Sequence, residues 1–333
     1  MARSVTSFDV ARLAGVSQPT VSRALRNLPG TSPATRDKVL RAAAALSYVP
    51  SDSARSLSTR STRRVAVVSE ELTNPFYAEL VEPIRHCLLT HDLRTVVITD
   101  TEHRAVGPEV LADGSYDGVI LTTTLRRSAL PRDLTERGVP HVLTNRVLDH
   151  PESSGCAADN AAGMRAIGNL LADLGHERIA SLQGPVHAST GRERAEALRG
   201  SLRARGLRLR REMVRRVPFT HDAGREAAHD LLGGDPAPTA VVCGNDVIAL
   251  GVLSAARERG LRVPQDLTVV GFDDIPMAGW PLVDLTTVRC DLVALARAAV
   301  DLLLATIAEP QRPPVVRRIP VSLRLRGTHG PPR

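Results

Sequence analysis

The chain has 333 residues, enough for two or three domains, and its 43% hydrophobic and 24% charged residues exclude a disordered polypeptide. No run of about 18 apolar residues occurs, and Met1 to Val10 carries Arg3 and Asp9 without an apolar export signal, which predicts a cytoplasmic protein with no membrane partner. The net charge of +7 is unevenly placed: eleven Lys/Arg face three acids through Arg64, a net +8 that leaves −1 for the remainder, as in a polyanion-binding head on a near-neutral body.

Three short helices are expected before Pro50. Ser7 reads as the N-cap of the first, with Val10, Leu13 and Ala14 behind it, and Gly15-Val16 reads as a tight turn. Ser17 caps a second helix running to about Asn27, and Ser32 with Pro33 starts a third that carries Val39, Leu40, Ala43 and Leu46 inward. In the second helix Val21, Ala24, Leu25 and Leu28 share one face, while Gln18, Pro19, Ser22, Arg23 and Arg26 share the other. An ordinary surface helix shows the same division. The preceding helix, the glycine-containing turn, and an amide and a guanidinium near the N-terminus favour a helix-turn-helix that reads base edges.

From Pro50 to Arg64, "PSDSARSLSTRSTRR" is polar except for Ala54 and Leu57, and reads as a linker. Beyond it, strand-like runs at 64–69, 94–99, 117–123, 140–144, 178–182, 239–244 and 267–272 alternate with helical stretches such as 161–174, 191–205 and 246–259. Continuously apolar strands alternating with helices predict parallel sheets covered on both faces, and the length favours two α/β lobes.

Cys87, Cys156, Cys243 and Cys290 lie far apart with no CxxC pair, so neither a disulfide framework nor a zinc site is expected. Two strand ends carry polar pairs, Asn245-Asp246 and Asp273-Asp274, where open parallel sheets place their ligands. Paired acids could instead serve a metal or phosphoryl transfer. However, no GxGxxG, GxxxxGK[ST], GxSxG or histidine-rich metal signature is present, so no enzyme, cofactor or metal site is expected. Carboxylate and amide acceptors suit a hydroxyl-rich ligand, a sugar or nucleoside.

The stretch "FDVARLAGVSQPTVSRALRN", followed by "SPATRDKVLRAAAALSYVPSDSARSL", resembles the headpiece and hinge of the lactose-repressor/galactose-repressor family of bacterial transcription regulators. The segments at 71–84, 159–180, 184–200 and 243–289 resemble the periplasmic-sugar-binding-like effector domain of the same regulators. The resemblance implies an α/β protein with a three-helix helix-turn-helix headpiece at 1–50, a hinge at 51–63, and a two-lobed periplasmic-binding-protein-like effector domain with parallel sheets at 64–333.

It also implies that Gln18, Pro19 and Arg23 face the major groove, Pro19 by apolar contact, while Thr20 and Ser22 hold phosphates. Ala54 and Leu57 fall at the minor-groove hinge, where a leucine wedges into a base step. Ser51, followed by Asp52, stands where the family usually has asparagine. In the body, Phe76 and Tyr77 are implied as an aromatic wall, Thr122 and Asn145 as lining of one lobe, and Arg194, Phe219, Asn245 and Asp273 as lining of the other. Asp246 and Asp274 are equally readable as caps of the following helices. Residues 100–118 look shorter than the family's helix there, so no pocket residue is carried over from them. The function implied is a homodimeric repressor of operator DNA controlled by a small hydroxylated effector. Its rivals are a solute-binding protein of transport and a sugar-phosphate enzyme acting through Asp273 and Asp274.

Overall fold

In the computed structural model, which describes residues 5–49, 61–70, 72–100, 106–149 and 152–333, the chain divides into two units, Met1–Thr62 and Arg63–Arg333. The first holds α1 (Ser7–Ala14), α2 (Gln18–Leu25) and α3 (Pro33–Ala45).

The start of α1 lies one residue before the expected cap. Thr6 is the N-cap, and the Asp9 carboxylate accepts both its backbone N–H at 3.0 Å and its hydroxyl at 2.7 Å. An acid three residues on completes a capping box from Thr6, whereas Ser7 has Val10 at that spacing. Gly15 ends the helix at φ +64°, a backbone conformation that suits glycine. Ser17 and Ser32 are the caps of α2 and α3, accepting the N–H groups of Thr20 and Thr35, and Pro33 begins α3.

Val10, Ala11, Val21, Ala24, Val39, Ala42 and Ala43 form the core of this unit. Val10, Val21 and Val39 are fully buried, each stabilising the fold by about 1.5–3 kcal/mol. Leu40, expected inward, is 47% exposed. Residues 39, 42, 43 and 46 share a helical face, and residue 40 is turned about 100° from position 39. Leu13 is also exposed, and so is Leu28, because α2 ends at Leu25 and Asn27 turns the chain at φ +54° before Leu28 can join its face. Ala54 and Leu57 lie outside the described residues.

The second unit runs β1 (Arg64–Glu70), α4 (Pro75–Thr90), β2 (Arg94–Asp100), α5 (Pro108–Leu111), β3 (Gly118–Leu121), α6 (Leu130–Glu136), β4 (His141–Thr144), β5 (Gly155–Ala158), α7 (Asn160–Asp173) and β6 (Ile179–Gln183). It continues through α8 (Ser189–Ala204), β7 (Val214–Arg216), α9 (His221–Leu232), β8 (Ala240–Cys243), α10 (Asp246–Glu258), β9 (Thr268–Val270), β10 (Thr287–Cys290), α11 (Leu292–Ala308), β11 (Val316–Ile319) and β12 (Val321–Arg324).

Six parallel strands in the order β11-β5-β4-β3-β1-β2 form the sheet of the amino-terminal lobe, and four in the order β7-β6-β8-β9 that of the carboxyl-terminal lobe. Every residue of β3, β4 and β8 is buried, as expected for parallel strands covered on both faces. The antiparallel ribbon β10-β12 accompanies the second and third of three chain passages between the lobes, near residues 159, 291 and 320. Two of these passages are tied where Asp159 N–H donates to the Ile319 carbonyl at 2.8 Å.

Candidate ligand cleft and nucleic-acid interface

Parallel strands end with their carbonyls toward one edge, so side chains just past those ends project beyond the sheet. Asn145 follows β4, Asn245 follows β8 and Asp273 lies three residues past β9, while Asn74, Phe76 and Tyr77 come from the start of α4. Together with Arg146, Thr190, Arg194 and Phe219, these residues line one cleft between the lobes. The free space left among these side chains is small, about 20 Å³.

Arg194 is the centre of the cleft and is 3% exposed. Its Nε donates to Asn160 Oδ1 at 2.8 Å, Nη1 to the Gly244 carbonyl at 2.6 Å and Nη2 to Asp273 Oδ1 at 3.0 Å. The guanidinium carbon stands 3.7 Å from the centre of the Phe272 ring. Three of its five N–H groups are therefore committed, and two remain for a ligand. Burial pushes the Asp273 carboxyl up to about 6, against the opposing pull of the Arg194 charge. Asp273 also sits at φ +116° and Asp274 at φ +59°, a strained pair of the kind found at ligand sites.

Asn145, at φ +67°, is buried, and Asn245 caps α10 by accepting the Ile248 N–H at 2.9 Å. Phe76 and Tyr77 meet edge to face at 5.5 Å. The Phe219 ring lies against Gly184, where a β-carbon would come 2.0 Å from the ring, so only glycine admits it.

Thr122 is the one expected cleft residue placed elsewhere. It is fully buried, and its hydroxyl donates to the Val68 carbonyl at 3.1 Å, satisfying it beneath the sheet edge. Residues not singled out from the sequence are Asn74, Thr190 and Arg146. Arg146 Nη2 donates to the Tyr77 hydroxyl at 2.9 Å and Nη1 to the Thr123 carbonyl at 3.2 Å, with its guanidinium 5.8 Å from the Phe219 ring centre. Its adjacency to Asn145 was the available signal.

The paired acids diverge in use. Asp273 joins Arg194, Asp274 pairs with Arg326 at 2.6 Å, and fully buried Asp246 accepts the Ile275 N–H and the Thr287 hydroxyl. Burial, followed by the nearby Asp273 charge, holds the Asp246 carboxyl well above its ordinary range. Neither Asp246 nor Asp274 caps a helix through its side chain; Asn245 does so for α10.

Direct bonds join the lobes at the rim. Asp149 pairs with Arg126 of its own lobe at 2.7 Å and with Arg192 of the other. The Arg126 N–H donates to the His187 carbonyl at 2.9 Å, and the Val147 N–H to Ser189 Oγ at 3.1 Å.

In the head, Pro19 and Arg23 are exposed, while Gln18, Thr20 and Ser22 are half-buried. Gln18 Nε2 donates to Ser7 Oγ at 3.3 Å, so the hydroxyl left over by the Thr6 cap holds the Gln18 amide. Thr20 Oγ1 lies 2.8 Å from Ser17 Oγ.

Residues 8–51 match the bacterial regulatory proteins of the lacI family, and residues 169–329 match the periplasmic binding protein-like domain. The HTH-type transcriptional regulator CelR of Thermobifida fusca is 37% identical over 93% of this chain and 95% of its own. The chain belongs to the LacI family of bacterial regulatory proteins. It is similar to a solved structure of a transcriptional regulator CelR-cellobiose complex, with a TM-score of 0.75 and 34% identity over 97% of this chain and 99% of that one. It is also similar to the lac repressor dimer bound to operator and the anti-inducer ONPF, with a TM-score of 0.87 and 28% identity over 98% and 99% of the two chains. As a LacI-family member the protein is a DNA-binding transcriptional regulator and not an enzyme. Among the described residues no helix is long and apolar enough to cross a membrane.

Proposed function

We propose that the protein is a homodimeric repressor acting in the cytoplasm, where its DNA is, and that a sugar held between its lobes controls its affinity for operator DNA. In this reading residues 1–50 are the head, 51–63 the hinge and 64–333 the effector domain. Gln18, Pro19 and Arg23 read base edges, Thr20 and Ser22 hold phosphates, and Ala54 and Leu57 serve the hinge. Phe76, Tyr77, Asn145, Arg194, Phe219, Asn245 and Asp273 hold the sugar, with Arg146 added to the set.

The convergence on one cleft of side chains from both lobes, around the Arg194–Asp273 pair, carries this proposal. Planar amide, carboxylate and guanidinium groups match vicinal hydroxyls, and the aromatic rings offer apolar faces to sugar C–H groups. The similarity to a cellobiose-bound regulator makes cellobiose the first sugar to try. Because the cleft leaves only about 20 Å³ free, a sugar would widen it on binding, and in this reading that movement is the link to the head. A ligand acts in this way only if it binds the two lobe arrangements with different affinity.

The test is thermal unfolding of the full chain with cellobiose, glucose, ribose and cytidine. A sugar at about 100 times its Kd stabilises by about 2.7 kcal/mol. A shift with cytidine alone would make the effector a nucleoside instead.

A further inference from the structure

The near-neutral body hides a strongly basic segment. Residues 199–216 contain eight arginines and one acid, Glu212, a local net of +7. Composition does not explain this. Lys38 is the only lysine, so 42 of the 43 basic residues are arginine, about one residue in eight over the chain against eight in eighteen here.

The segment comprises the end of α8, a loop, a 3-10 turn at Arg211–Met213 and β7, the edge strand of the carboxyl-terminal sheet. Its apolar residues face inward: Leu202 and Met213 are buried, and Leu207 and Leu209 pack on the core. All eight arginines except half-buried Arg215 are exposed. Arg205 pairs with Asp173, while Arg215 and Arg216 donate to backbone carbonyls. Arg199, Arg203, Arg208, Arg210 and Arg211 make no ion pair among the described residues. Arg199 stands close enough to Arg216 for its charge to depress that guanidinium, second to burial. Glu196 offsets part of this at Arg216, and the remaining positive charge of the segment is unfavourable unless a further anion is present.

Two alternatives account for less of this pattern. Charged side chains guard sheet edges against strand addition, which covers Arg215 and Arg216 in β7 but not the six outside it. A protein partner would need apolar or aromatic anchors at its centre, and this surface exposes none. Guanidiniums without apolar neighbours suit phosphates, which they contact without reading sequence.

We propose that the arginine surface at 199–216 binds the backbone of duplex DNA, giving the protein a second, sequence-independent DNA contact apart from its helix-turn-helix head. The head and this surface belong to separate units of the chain.

The experiment uses the full chain and a short duplex of random sequence. Arginine modification by phenylglyoxal, read by mass spectrometry, should show Arg203, Arg208, Arg210 and Arg211 protected when the duplex is added. The quadruple variant Arg203→Gln, Arg208→Gln, Arg210→Gln, Arg211→Gln should lower the slope of log affinity against log salt by about 2–4, at about 0.9 per lost phosphate contact. Thermal unfolding identical to that of the parent would verify its fold. Modification unchanged by duplex, or an unchanged slope in a folded variant, would overturn the proposal. Protection by polyglutamate but not by duplex would overturn it in favour of an acidic protein partner.

Discussion

Arg194 and Asp273 meet at 3.0 Å from two different elements, the guanidinium from α8 and the carboxylate from the turn after β9, both almost fully buried. Replacing Arg194 by Ala leaves the Asp273 charge buried and uncompensated. Stability should fall by about 3–5 kcal/mol, measured by urea unfolding. A loss below 1 kcal/mol would show that the pair is not what holds this part of the cleft.

The Asp273 carboxyl, pushed up to about 6 by burial, gives two pH dependences of opposite sign. Between its ordinary value of 3.8 and 6 the native state keeps a proton that the unfolded chain has lost, so its contribution to stability declines as pH rises through this window and the cost is complete above 6. A sugar whose hydroxyls donate to the carboxylate binds the ionised form, so affinity should be about tenfold weaker at pH 5 than at pH 7.5. Calorimetric titration across that range checks the second effect, and a flat profile would remove Asp273 from direct contact.

Asp149 bridges Arg126 and Arg192 across the rim of the cleft. Asp149→Asn should leave two arginines facing each other and loosen closure by up to about 1 kcal/mol, the scale of partly exposed pairs. Faster sugar association in stopped flow, with the fold intact, is the expected outcome. An unchanged rate would mean that the rim does not limit opening.

Ser7 and Gln18 offer a test in the head. Ser7→Ala releases the Gln18 amide from its 3.3 Å bond. Base preference at one operator position should change while the salt dependence of binding stays the same, because no phosphate contact is touched. Arg23→Ala, by contrast, should cost about 1–3 kcal/mol of discrimination between operator and random DNA.

Much of this organisation is legible in the sequence because it rests on local signals. Ser17 and Ser32 announce their helices, and apolar runs such as "AVVC" announce buried parallel strands. The strands "GCAA", "VRR", "TVRC", "VRRI" and "VSLR" carry no such run and exist through pairing with distant neighbours. The cleft divides in the same manner. Residues just after apolar strands, such as Asn245, can be read from position, whereas Arg146 reaches the cleft through Tyr77, 69 residues away. Thr122 also follows an apolar strand, but its hydroxyl turns back to Val68. The side-chain direction at a strand end is a property of the packed sheet that the sequence does not print.

The most direct test of sugar-controlled DNA binding is operator affinity with and without cellobiose. Duplexes enriched from a random library by the full chain would be titrated at fixed salt, with the sugar absent and then saturating. A change of about 5–150-fold, the usual span of coupling between two sites, is expected for the parent protein and should vanish in Arg194→Ala. Equal affinity at every concentration of cellobiose and of the other sugars tried, with operator selection intact, would contradict control by a sugar in the cleft.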